Sequence, residues 1–95
     1  MIKVRAKIKL YKSHEGRRTP FSSGYRPLFN FISEMKTSGQ ITLKDRQEFF
    51  PGDEAIVEIV FLNRDYLGSN FGVGTKFTFG EGIEPFGEGE IREVI

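Results

Sequence analysis

Nine residues near the start of the chain constrain its fold more tightly than any others. From position 2 to 10 the sequence alternates strictly, setting Ile2, Val4, Ala6, Ile8 and Leu10 against Lys3, Arg5, Lys7 and Lys9. An extended backbone sends successive side chains to opposite faces, so a period of two sorts these residues into an apolar side and a basic side. The pattern predicts a half-buried β-strand with the aliphatic face inward and a stripe of four cations in water.

The rest of the chain continues in short extended runs. A loop rich in Gly, Ser, Pro and Arg covers residues 13–26, and Pro27 opens a second strand over 28–32. Residues 33–39 read as a turn, with at most one helical turn in it, and 40–43 as a third strand. Pro51-Gly52-Asp53 is a turn signal leading into 55–62, the most β-branched run in the sequence. A Gly/Asn-rich connection follows over 63–74, then strands at 76–79 and 90–95, separated by a glycine-punctuated turn. Six short strands without a helical segment, a repeat or a linker predict an all-β domain spanning 1–95, either a barrel or a small sandwich. Closure removes the exposed edges of an open sheet, which favours a six-stranded antiparallel closed β-barrel.

Composition narrows the chemistry. The chain has no cysteine and one histidine, His14, so thiolate zinc sites, disulfides and cysteine nucleophiles are excluded and no metal is expected. No apolar run approaches the ~18 residues of a membrane-spanning helix, and the lysine-interleaved start is not a secretion signal. The expectation is a soluble, cytoplasmic protein with no membrane partner. Ten phenylalanines need a place. Phe29/Phe31 and Phe77/Phe79 are spaced two apart, so each pair faces one side. They fill the barrel, or else form a stacking platform for single-stranded nucleic acid.

Charge is divided unevenly. Residues 1–48 hold eleven Lys/Arg against four acids, and residues 49–95 hold three against nine. Either the molecule offers a basic and an acidic region to different partners, or the two halves neutralise each other where their strands pair.

The run Gly16-Arg17-Arg18-Thr19-Pro20-Phe21-Ser22-Ser23-Gly24-Tyr25-Arg26-Pro27-Leu28-Phe29-Asn30-Phe31 resembles a signature of the third, C-terminal β-barrel domain of translation elongation factor Tu, G-R-H-T-P-F-x-x-G-Y-R-P-Q-F-Y-F. The P-G-D turn before a β-branched strand, Lys76-Phe77-Thr78-Phe79 for the family's R-F-A-I, and the glycine-rich stretch from Gly82 to Ile91 follow in the family's order, so the likeness covers essentially the whole chain. The resemblance implies a six-stranded antiparallel barrel. It also implies contacts with the T-stem of tRNA or other structured RNA, with a GTPase domain, or with another translation-related protein. Residues carried over by it, or read from charge, are Arg17, Arg18, Thr19, Tyr25, Arg26 and Gly82, together with Lys3, Arg5, Lys7 and Lys9. Arg17 and Arg18 are expected at the exposed tip of the 13–26 loop, with Phe21 and Tyr25 anchoring it.

The sequence departs from the family pattern in informative places. Leu28 replaces a glutamine that contacts RNA in the family, and Asn63 stands near a position usually held by lysine. Gly80-Glu81-Gly82-Ile83-Glu84-Pro85-Phe86 replaces R-E-G-G-R-T-V, removing two arginines. A GTP-binding domain has no room in this length, and the glycines of 68–76 lack the Gly-Lys-Ser/Thr order that cradles phosphates. The expectation is the third barrel standing alone, without cofactor or GTPase activity. Ser13 and His14 are adjacent, so their side chains diverge and make a poor nucleophile–base pair. Glu81, Glu84, Glu88 and Glu90 read as a solvated rim. Two readings result: a binding module that docks on a protein, on tRNA or on both, and a dedicated RNA-binding barrel that uses the Arg17/Arg18 loop and the basic first strand.

Overall fold

A computed structural model describes residues 1–12, 19–32 and 35–95. The strands are β1 (Ile2–Leu10), β2 (Phe21–Ser22), β3 (Leu28–Ile32), β4 (Met35–Leu43), β5 (Glu48–Phe49), β6 (Glu54–Phe61), β7 (Lys76–Gly80) and β8 (Gly87–Val94), with one 3-10 turn at Arg64–Tyr66. Six of them close into a barrel in the order β1-β6-β4-β3-β7-β8, with every pair antiparallel. β2 and β5 pair separately as a small two-stranded sheet. The chain is all-β, and the expected six-stranded closed barrel is present.

The alternation at the start of the chain has the predicted consequence. Val4, Ala6, Ile8 and Leu10 are fully buried, Ile2 lies at the rim, and the cations between them point outward. The Phe29/Phe31 and Phe77/Phe79 pairs pack into the interior and form no exposed platform: Phe29, Phe61, Phe77 and Phe79 are buried and Phe31 is half-buried against them, while Phe50 is exposed. The Phe29 ring lies 5.1 Å from Phe61 and 5.6 Å from Phe77, both edge to face. Such large rings fit a narrow barrel because glycines face them across the sheet. Phe79 is the register partner of Gly87, Phe77 of Gly89, and Phe61 of Gly39. A Cβ at Gly87 would collide with the Phe79 ring, and one at Gly39 would lie 2.7 Å from Phe61 Cε1. The missing side chains are where the rings sit.

Several boundaries differ from the sequence reading, those of β6 and β7 by one residue at an end and others by more. β4 starts at Met35, where a turn was expected through residue 39; its inward positions are Thr37 and Gly39, which carry no apolar signal. Likewise β8 begins at Gly87, where the strand was expected from residue 90; its inward positions Gly87 and Gly89 carry no apolar signal. β2 lies inside the expected 13–26 loop, where Phe21 stacks on Phe49 at 5.2 Å; residues 13–18 of that loop lie outside the described residues. The Pro51-Gly52-Asp53 turn is present: Gly52 has φ of 92°, and the Asp53 amide donates to Phe50 O at 2.9 Å.

Candidate interaction surfaces

The basic stripe of β1 lies between two acidic strands. β6 and β8 flank β1, so the basic start of the chain is laid against the acidic second half. Lys9 stands opposite Glu54 on one side and Glu88 on the other, and Arg5 opposite Glu58 and Glu93. Arg5 Nη1 meets Glu93 Oε1 at 2.6 Å, and Lys7 Nζ lies 3.5 Å from Glu54. A register shift in β8 makes the Arg5 pair possible: Arg5 faces Glu93 while Ala6 faces Ile91, so Arg92 is the extra residue and Glu93 is turned outward.

Glu58 is the centre of this wall. Only 6% of it is exposed, yet Lys3 Nζ (3.3 Å), Lys44 Nζ (3.5 Å) and Arg5 Nε (3.6 Å) surround its carboxylate. Burial pushes its pKa up, but the lysines, Lys3 first, outweigh this and hold the group below the ordinary value of 4.5. Exposed ion pairs contribute little singly. Arranged as cross-strand neighbours, they favour one register and one set of strand partners. Of the two readings of the charge division, the geometry supports mutual neutralisation along β8-β1-β6.

The remaining expected site residues lie elsewhere. In a ring of six strands β3 is three places from β1 in either direction, on the opposite wall. Tyr25, just before β3, donates its hydroxyl to Glu81 Oε2 at 2.6 Å and stacks on Phe21 at 4.5 Å and Phe86 at 6.5 Å. Arg26 Nη2 donates to Gln40 Oε1 at 2.7 Å. Gly82 is exposed, and its carbonyl accepts from Lys36 Nζ. Thr19 is exposed as well. Tyr25, Arg26 and Gly82 thus gather near the β7–β8 turn, apart from Lys3, Arg5, Lys7 and Lys9. Arg17 and Arg18, with Ser13 and His14, lie outside the described residues.

Sequence reasoning did not see what the β7–β8 turn does to β3. The Phe86 amide donates to Phe79 O at 2.9 Å, and Gly80 allows Glu84 and Pro85 to lie close over it. This folds the turn back beside Leu28, the register partner of Gly80. Leu28, Ile83 and Pro85 border one shallow cleft with Asn30, Lys36 and Thr78. Ile83 is 90% exposed and Leu28 38%. The available signal was that Leu28 and the turn both depart from the family pattern; only the strand register shows that these departures are neighbours.

Of the other hollows, one of about 210 Å³ among Lys7, Lys9, Glu54, Glu88, Glu90 and Arg92 is mixed in charge, and one of about 390 Å³ is lined by uncharged residues, Phe31, Ile32, Leu67 and Phe71 among them. Among the described residues no group of three or more His, Cys, Asp or Glu is placed to hold a metal ion. Glu88 instead accepts from the Tyr11 hydroxyl at 2.9 Å, and Glu90 lies 3.4 Å from Arg92. Among the described residues, no helix is long and apolar enough to cross a membrane. No protein-family model matches the sequence.

Proposed function

We propose that the chain is a non-catalytic binding module resembling the third barrel of elongation factor Tu, which docks on a protein partner and has no GTPase activity of its own. A GTPase domain or another translation-related protein is the partner class that the resemblance implies. The observation that carries this reading is the meeting of Leu28, Ile83 and Pro85 in one exposed face. Relative to the family pattern, leucine replaces glutamine, isoleucine replaces glycine and proline replaces threonine. Each change adds apolar surface of the kind that protein interfaces cover.

The competing reading is an RNA-binding barrel. Lys3, Arg5 and Lys7 already face carboxylates, so phosphates would have to displace partners that belong to the fold. Site-specific photocrosslinking in cells tests the choice, with the photoreactive residue placed at Ile83 or, as control, at Lys7. A discrete protein adduct from position 83 and none from position 7 is expected. RNA adducts from position 83 would replace the protein reading with the RNA one.

A further inference from the structure

Lys36 and Arg26 differ from the cations of β1 in what they touch. Lys36 Nζ rests on the Gly82 carbonyl, and Arg26 Nη2 on the side-chain oxygen of Gln40. Both acceptors are neutral. Among the described residues their outward neighbours on β3 and β4 are Leu28, Asn30, Ser38 and Gln40, none of them acidic; Glu81 and Glu84 stand in the turn that carries Gly82. Hydrogen bonds to an ionised acceptor are roughly twice as strong as neutral ones, so each cation gains by exchanging its present acceptor for a carboxylate. By register Leu28 lies beside Ser38, between Lys36 and the Arg26–Gln40 pair. Apolar ground with a cation on either side is therefore the character of this wall.

We propose that this face docks an acidic protein segment, which packs an aliphatic side chain against Leu28 and Ile83 and places carboxylates on Lys36 and Arg26. The inference rests on the protein-docking reading above and names the chemistry of the partner. A nucleic-acid backbone is the poorer fit. The two described cations, Lys36 and Arg26, allow about two phosphate contacts, which gives weak binding. Glu81 and Glu84 in the same turn act on either anion alike; what separates the two is that exposed Leu28 and Ile83 have no counterpart on a phosphate backbone.

The test is a titration of the isotopically labelled full chain, followed through its amide resonances. The probes are two synthetic peptides, identical except that a central leucine is flanked by glutamates in one and by lysines in the other, and an RNA hairpin of T-stem length. The glutamate peptide is expected to move Leu28, Lys36, Gly82 and Ile83 and to leave β1 still. Lys36→Glu with Arg26→Glu should weaken it about tenfold or more, because like charges then face each other. The lysine peptide should not bind. No shifts with about 1 mM glutamate peptide, equal binding of both peptides, hairpin binding at these residues, or concentration-dependent shifts that mark a second copy there would each overturn the inference. Peptide failure alongside a protein adduct from Ile83 removes only the acidic partner, whereas an RNA adduct from Ile83 removes the docking reading as well.

Discussion

Gly87 is buried because the Phe79 ring lies where its side chain would be. Gly87→Ala is therefore expected to destabilise the barrel by about 1–3 kcal/mol, the usual cost of overpacking a closed core. Urea denaturation measures it, and combining the change with Phe79→Leu should recover part of the loss; two additive losses would show that the ring and the glycine are not coupled. Glu58 gives the second residue-scale prediction. Its folded pKa is depressed, so its contribution to stability is present above the unfolded value near 4.5 and is lost as pH falls through the folded value. The urea midpoint of the wild type should fall over that acid range more than that of Glu58→Gln, and parallel pH profiles would contradict the Lys3 and Lys44 contacts. Neither residue was legible in the sequence. Glycine gives no hydrophobic signal, and nothing local to Glu58 shows that cations from β1 and from the end of β4 will surround it.

At the scale of the element, legibility followed side-chain contrast. β1 was readable to the residue because aliphatic and cationic positions alternate without a break. β4 and β8 were cut short wherever an inward position held Thr37, Gly39, Gly87 or Gly89, which leaves a strand without apparent periodicity. The two-residue strands β2 and β5 are too short for any period; their pairing is visible only in the Phe21–Phe49 stack. Strand neighbours also decide what a charge does. Lys9 stands between Glu54 and Glu88, whereas the described outward neighbours of Lys36 on β3 and β4 carry no acid. Lys9→Glu should then cost about 0.5–1 kcal/mol, because three like charges are brought abreast across the sheet. Lys36→Glu should stay within about 0.5 kcal/mol, as an ordinary surface change does. Equal effects in parallel denaturation experiments would mean that the cross-strand ladder has no energetic role.

For the whole molecule, the division of charge along the sequence becomes a matching of walls. The fold brings the basic first strand between strands from the acidic half, and leaves the Leu28–Ile83 face on the opposite side. The fold class and the phenylalanine interior could be read from the sequence, since both follow from local spacing. The candidate face could not, because its parts come from β3, β4 and the β7–β8 turn, and only the register of a closed barrel joins them. The same topology separates the candidate site residues into Tyr25, Arg26 and Gly82 near that face, and Lys3, Arg5, Lys7 and Lys9 behind it. A stripe already matched by carboxylates should contribute little to RNA affinity. The direct measurement is fluorescence anisotropy of a T-stem RNA hairpin at low salt, with wild type and a variant in which Lys3, Arg5, Lys7 and Lys9 are all glutamine, its fold checked by circular dichroism. Neutralisation by β6 and β8 predicts that hairpin binding, whatever its strength, is unchanged in the variant while thermal stability falls. Tight wild-type binding with a steep salt dependence, abolished in a variant that remains folded, would contradict it.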